Sequence, residues 1–341
     1  MGMQSLPTKI FWVFGLPLSC AWALFMRARR SYYVSSRQYR ATLKIICVGN
    51  LHSGGSGKTP LVAAISKRFQ LRSPVILSRG YLGTLSSEGA ETDRLMPNGS
   101  LLYGDEPWML SQQQAGPVFI SKKRVAGVKR IEKQYPNSLV ILDDGFQHLA
   151  LGRDVDIICI NTDKEVAGSF CLPLGGLRES FKALDHADAV VLTPGSQNKN
   201  LEVWQNVIQN EFPKLPCFVA HSKVDGFFEG PSDFEFDSLK NWVSFSGIAS
   251  PERFVKTLSE YSPSVEHIQS YPDHHRYVES DIEWLISEKN RAGAFGFVTT
   301  DKDWYKVYEL FKPKSEKVIS LRVGYDLPDS FWIWLEAKVK G

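Results

Sequence analysis

The sequence predicts an α/β fold: a doubly wound sheet of mostly parallel strands, a second and smaller α/β lobe after it, and an apolar helix in front. Three observations carry that reading. Short apolar runs alternate with stretches of helical spacing. Most of those runs are continuous rather than alternating, as strands covered by helices on both faces should be. The length of 341 residues exceeds a typical single domain, so two lobes are expected.

Candidate strands are 43–48 (LKIICV), 74–78 (PVILS), 117–121 (PVFIS), 138–142 (SLVIL), 155–160 (VDIICI) and 188–193 (DAVVLT). The segments 60–71 and 124–135 between them have helical spacing with polar faces, giving a β-α-β rhythm. The rhythm loosens at PGSQNKN, which puts a lobe boundary near 195–215. A second set follows at 216–221, 242–247, 294–299 and 317–322, with helices near 251–261 and 280–290. The segment 223–240 reads as a loop or a hairpin. The division is therefore a helix over 1–30, a first lobe over 31–205 and a C-terminal α/β lobe over 206–341.

A composition of 43% hydrophobic and 23% charged residues is ordinarily globular. A net charge of +3 gives no global field for nucleic acid. The five cysteines (Cys20, Cys47, Cys159, Cys171, Cys217) are scattered with no C-x-x-C pair. That argues against a zinc site or a disulfide framework and suits a reducing compartment. No obligate protein partner is evident.

From Ile10 to Met26 the chain carries no charge, and Arg27, Arg29, Arg30, Arg37 and Arg40 follow. Such a run is short for a span and is interrupted by Gly15, Pro17 and Ser19. An interfacial anchor is the first reading. A true span, with the arginines holding the rest of the chain in the cytoplasm, is the second. An apolar helix packed on the protein's own core is the third.

The sharpest local signal is strand 43–48 running into Gly49-Asn50-Leu51-His52-Ser53-Gly54-Gly55-Ser56-Gly57-Lys58-Thr59 and then helix. Glycines let backbone N–H groups converge on phosphate oxygens, and the helix N-terminus adds its dipole. Lys58 would reach the β- and γ-phosphates and the Thr59 hydroxyl would ligate Mg²⁺. The strict P-loop pattern has Gly where this chain has His52, so the match is partial, yet GGSGKT sits correctly between strand and helix. A second apolar strand ends in Asp143-Asp144-Gly145, where a P-loop fold holds its metal. Adjacent carboxylates on an extended strand point to opposite sides, so one faces Mg²⁺ and the other a neighbouring loop or water. Taken alone, this is also a common turn sequence. Three weaker signals lie in loops. Gly104-Asp105-Glu106-Pro107 reads by itself as a helix-capping turn. Leu177-Arg178-Glu179 offers a cation and a metal ligand. Asp273-His274-His275 is a candidate base or an ordinary surface pair.

Taken together, VGNLHSGGSGKTP (48–60), SRGY (78–81), GDEP (104–107), DDGFQH (143–148), RDVDI (153–157), LRE (177–179), SGIASPERF (246–254), PDHH (272–275) and TTDKD (299–303) resemble the tetraacyldisaccharide 4′-kinase family of lipid A biosynthesis. Nine motifs in family order over Val48–Asp303 make the resemblance specific. It implies a P-loop NTPase-like sheet with a second lobe closing the active-site cleft. It also implies phosphoryl transfer from ATP to the 4′-hydroxyl of the tetraacyldisaccharide 1-phosphate precursor of lipid A, at the cytoplasmic face of the inner membrane. By that resemblance His52 to Thr59, with Lys58, and Arg124 surround ATP. Thr59, Asp143, Asp144 and Glu179 form the metal surroundings, and Asp105 and His274 are a dyad that accepts the hydroxyl proton, with Lys58 assisting transfer. The family carries a glutamate where TTDKD has Asp301.

Two other classes stay in view. A P-loop ATPase switch of the partitioning type often carries a lysine before the paired glycines, where this chain has Ser53. It would have no need of a hydroxyl-activating pair. A membrane-anchored nucleotide-binding scaffold would leave the acidic cluster unexplained.

Overall fold

The computed structural model describes residues 6–35, 37–53, 55–96, 98–113, 115–165, 170–195, 200–262 and 264–340, with side chains from residue 15 onward. In chain order the elements begin α1 (Leu6–Val34), β1 (Ile45–Asn50), α2 (Lys58–Arg68), β2 (Val75–Ser78), β3 (Ala90–Glu91), α3 (Gly99–Tyr103) and α4 (Asp105–Gln112). Next come β4 (Val118–Ile120), α5 (Arg124–Gln134), β5 (Val140–Asp143), β6 (Val155–Asn161), β7 (Ala189–Thr193), α6 (Leu201–Glu211) and β8 (Cys217–Val219). They continue with β9 (His221–Glu229), β10 (Ser232–Phe234), β11 (Trp242–Ser246), α7 (Pro251–Tyr261), β12 (Glu266–Ser270) and α8 (Glu279–Arg291). The last four are β13 (Gly296–Thr300), α9 (Asp301–Phe311), β14 (Val318–Asp326) and α10 (Asp329–Lys340). All ten apolar runs read as strands contain a strand, and 223–240 is largely the antiparallel hairpin β9–β10.

The chain forms two compact units, each from non-contiguous segments. The first comprises Met1–Lys58, Leu142–His221 and Leu327–Gly341, the second Thr59–Ile141 and Ser222–Asp326. In the first unit β1, β6, β7 and β8 pair in that order, all parallel, with Val48 opposite Ile157 and Ile158 opposite Val190. These strands are buried nearly throughout except β8, which is why they read as continuous apolar runs. Trp204 of α6 and Phe331 and Leu335 of α10 are fully buried in the same unit.

In α1, Gly15, Ser19, Met26 and Arg30 are buried, at spacings that share one face of a helix. That face is tied down by polar bonds. Ser19 Oγ donates to the Cys171 carbonyl at 2.7 Å, Trp22 Nε1 to the Arg178 carbonyl at 3.0 Å and Arg29 to the Gln147 carbonyl at 2.9 Å. The other side exposes Leu16, Leu18, Leu24 and Phe25. Among the described residues no helix is long and apolar enough to cross a membrane.

The second unit holds two groups of paired strands. In one, β2 and β4 run parallel and β3 pairs antiparallel with β4. The other has the order β10-β9-β14-β13-β11-β12, with β14, β13, β11 and β12 parallel. Phe245, Phe297, Ile282, Leu285, Val307 and Phe311 form its principal core. From β11 the chain passes to β12 on one side and then to β13 on the other. That reversal of strand order makes a switch point, and in open α/β sheets ligands bind outside the carboxyl ends of strands at such a point.

Candidate active site

In the first unit β1 delivers the glycine loop at its carboxyl end, and α2 starts at Lys58. Gly49 is fixed by close approach: a Cβ there would stand 2.4 Å from Phe146 Cβ, so the loop strand and the Asp143-Asp144 segment can touch only through glycine. The loop is held from its carbonyl side. Asn50 Nδ2 donates to the His52 carbonyl at 2.6 Å and to Ser56 Oγ at 2.8 Å. Thr193 Oγ1 donates to the Ser56 carbonyl at 2.9 Å and Asn161 Nδ2 to the Gly55 carbonyl at 3.3 Å. Ser53 is bonded through both N–H and Oγ to the Gly176 carbonyl. Carbonyls fixed from behind free the loop's amides for an anion. Gly54 lies outside the described residues.

His52 is buried against Phe181 and Trp204, with ring centroids 6.0 and 6.1 Å away. Burial, then the charge of Lys164, pushes its imidazole down to about 4, so it is neutral at neutral pH. Its visible packing is that of a residue holding the loop.

Asp143 is buried at the end of β5. Asp144 follows with φ +51°, a left-handed conformation uncommon outside glycine. Its carboxylate lies 3.3 Å from Lys58 Nζ and accepts two bonds from Arg178 Nη1 at 2.8 and 3.0 Å. Burial raises that carboxyl, but Lys58 and Arg178 outweigh it and hold Asp144 below its ordinary range. Lys58 also donates to Ser56 Oγ at 3.2 Å. Glu179 is engaged at both oxygens by Arg30, at 2.7 and 3.0 Å, with both side chains almost fully buried. Arg30 also stacks over the Phe146 ring at 4.2 Å. Arg30 therefore belongs to the interior and not to a membrane-facing arginine flank.

Mg²⁺ in phosphoryl-transfer sites takes one or two protein oxygens and fills its sphere with phosphates and water. A hydroxyl at the start of α2 (Thr59) and a buried carboxylate at a strand end (Asp143) suit that demand. Among the described residues no three His, Cys, Asp or Glu side chains converge as a self-contained metal cage.

In the second unit Asp105 opens α4 after Gly104, whose φ is +93°. A Cβ at Gly104 would lie 2.4 Å from the Tyr81 carbonyl oxygen, so this turn needs glycine. Asp105 Oδ2 lies 3.0 Å from His274 Nδ1, between residues 169 positions apart, and Oδ1 accepts from Ser100 Oγ at 2.5 Å. Burial raises the Asp105 carboxyl, but the bond to His274, Lys306, Ser100 and Lys302 outweigh it and bring it to about 2. His274, at φ +59°, follows β12 and meets the Tyr81 ring edge-on at 5.8 Å. Two cations from α9 attend the pair. Lys302 Nζ donates to Asp273 Oδ1 at 2.8 Å and lies 3.5 Å from His274 Nε2. Lys306 Nζ lies 2.9 Å from Asp303 Oδ1 and 3.9 Å from Asp105 Oδ2. Gly247 after β11, His274 after β12 and Asp303 after β13 thus gather at the carboxyl ends of the switch-point strands, and Gly247 N–H donates to Asp303 at 2.8 Å.

Arg124 starts α5, buried, and donates to the Ser121 carbonyl. Asp301 is a buried junction: it accepts from Gln113 at 2.6 Å, from Arg322 at 2.5 Å and from Ser320. Sequence reading did not find Asn161, Thr193 or Lys306, quoted Asn50 and Lys302 only as parts of longer motifs, and took Arg30 as one of the arginines flanking the apolar run. VGNLHSGGSGKTP and TTDKD marked the segments of Asn50 and Lys302 without giving either a role, and no motif contains Asn161, Thr193 or Lys306.

These features define a class: an α/β protein with parallel strands, a glycine loop between a strand and a helix, and a carboxylate–histidine pair at a second set of strand ends. The chain belongs to the tetraacyldisaccharide-1-P 4′-kinase (LpxK) family, whose model matches residues 11–340. It is 34% identical over 312 residues to a tetraacyldisaccharide 4′-kinase from Desulfotalea psychrophila, covering 87% of this chain and 88% of that one. A tetraacyldisaccharide 4′-kinase from Francisella tularensis subsp. novicida is 32% identical over 262 residues, covering 74% and 78%. The solved structure of LpxK from Aquifex aeolicus in complex with ATP superposes with a TM-score of 0.74 at 25% identity, covering 95% of this chain and 97% of that one.

Proposed function

We propose that the chain transfers the γ-phosphoryl group of ATP to the 4′-hydroxyl of the tetraacyldisaccharide 1-phosphate precursor of lipid A. One observation carries the reading: the 3.0 Å contact between His274 Nδ1 and Asp105 Oδ2. With Asp105 ionised, that contact is a hydrogen bond donated by Nδ1–H, and the neutral imidazole then keeps the Nε2 lone pair as its proton acceptor. A sugar hydroxyl is a weak nucleophile, and a histidine steadied by a carboxylate takes its proton as the new P–O bond forms. An ATPase switch has no task for such a pair.

On the donor side, the loop amides from Gly55 to Thr59 cradle the phosphates, and Lys58 leaves Asp144 to follow the charge developing on the γ-phosphoryl. Arg178 keeps Asp144 neutralised when Lys58 moves. Thr59 and Asp143 would hold Mg²⁺, which supplies further charge neutralisation on the phosphates. The glycine loop, these residues and the parallel sheet make the fold P-loop-like. Its second α/β lobe carries His274.

The exposed Leu16, Leu18, Leu24 and Phe25 face of α1, with exposed Arg27 beside it, suits the membrane interface where an acylated substrate resides. Because ATP is cytosolic, the enzyme works at the cytoplasmic face of the inner membrane. The test is incubation of the full chain with γ-labelled ATP, Mg²⁺ and tetraacyldisaccharide 1-phosphate in mixed micelles. Label in the lipid at its 4′ position is expected. Release of labelled phosphate with no labelled lipid would replace the kinase with an ATPase switch.

A further inference from the structure

We propose that Lys306 is a positioning residue for this reaction: its buried ammonium, set by Asp303, keeps the Asp105 carboxylate ionised and directed at His274. The proposal rests on the reading of Asp105 and His274 as the proton-accepting pair.

Lys306 and Asp303 lie three positions apart in α9, with side chains 8% and 0% exposed. The far oxygen of Asp303 is already fixed by the Gly247 N–H at 2.8 Å and the Thr300 hydroxyl at 2.7 Å. Its near oxygen thereby holds the ammonium in one place. From there Lys306 Nζ reaches the His275 carbonyl at 3.3 Å, lies 5.3 Å from the Tyr277 ring and stands 3.9 Å from the Asp105 oxygen that faces His274. A buried lysine is costly to keep for stability alone, since an apolar residue of its size serves a core as well. Here it serves the chemistry. When His274 accepts the hydroxyl proton, Asp105 must stay an anion to stabilise the imidazolium and hold the ring's orientation. The adjoining ammonium makes protonation of Asp105 unfavourable without touching the substrate.

The test is a mutant cycle on the full chain, measuring kcat at saturating ATP and lipid together with KM for ATP. Lys306→Met lowers kcat by about 10- to 100-fold with KM for ATP changed less than about threefold, while Lys306→Arg recovers most of the rate. In the Asp105→Ala background, Lys306→Met costs less than about threefold more, because its effect passes through the absent carboxylate. Equal losses in both backgrounds make Lys306 a purely structural residue and overturn the proposal, as does near-wild-type kcat in Lys306→Met. Wild-type activity in Asp105→Ala is a separate result: it removes the proton-accepting pair itself. Should Lys306→Met not fold, as judged by circular dichroism and thermal melting, Asp303→Asn, which frees the ammonium without deleting it, enters the same cycle under the same criteria.

Discussion

Lys58 lies 3.3 Å from Asp144 and 3.2 Å from Ser56 Oγ, so an arriving γ-phosphate competes with a carboxylate for the ammonium. Because Arg178 remains on Asp144, taking the lysine away does not strand a buried charge. Lys58→Ala is therefore expected to lower kcat on the order of 10²-fold or more while circular dichroism and the melting transition stay near wild type. A Lys58→Ala protein with wild-type kcat would end the loop's assignment. Residues of this kind were legible in the sequence because a glycine loop and an acidic strand end demand particular side chains at fixed offsets. Their supports were not. Thr193 meets the Ser56 carbonyl across 137 positions and Arg30 meets Glu179 across 149, and neither pairing has a local signature. Glu179 could be seen as a carboxylate near a candidate site, but not as one already engaged by a buried guanidinium.

Most elements were legible because their physics is local. Strands buried on both faces must be apolar throughout, so β1, β5, β6 and β7 announce themselves, and the break at Gly230 between β9 and β10 marks a hairpin. The helix α1 shows where that logic stops. The uncharged run ends at Met26, yet the helix continues to Val34, and of two arginines three positions apart Arg27 is exposed while Arg30 is buried. Periodicity cannot say which one turns inward, because the answer depends on Glu179 and Phe146. The two should behave oppositely. Arg30→Met strands Glu179 in the interior and is expected to destabilise the protein by about 3–5 kcal/mol, read from urea unfolding. Arg27→Met should leave unfolding within about 0.5 kcal/mol of wild type and weaken sedimentation with anionic vesicles in low salt, where screening is least. Equal unfolding midpoints for the two variants would mean that the Arg30–Glu179 pair adds nothing to the fold.

At the scale of the whole chain, both units lose stability in acid through groups whose proton affinity folding lowers, His186 and His267 among them. The largest such shifts fall on His52 in the first unit and Asp105 in the second. In the first unit His52 falls from 6.5 to about 4. The unfolded chain then takes up its proton at a higher pH than the folded one. The stability linked to His52 is thus fully present above about pH 6.5 and is lost as pH falls towards 4. In the second unit Asp105 falls from 3.8 to about 2, and the same sign places its loss between pH 4 and 2, worth about 2 kcal/mol when complete. Asp144, also held low, adds to the first unit's loss below the ordinary carboxylate range. A chain of two units need not unfold in one step, so the measurement is urea unfolding at pH 7, 5.5, 4.5, 4 and 3, with each transition fitted separately. Wild type should weaken first between pH 6.5 and 4.5, and His52→Gln should make that limb shallower, leaving the parts due to His186 and His267, without altering the one below pH 4. Asp105→Asn should do the reverse, being less stable than wild type at pH 7 and approaching it at pH 3. A His52→Gln protein that keeps the wild-type slope between pH 6.5 and 4.5 would show that the aromatic pocket around His52 accepts the imidazolium. The neutral loop-holding role given to His52 would then be wrong.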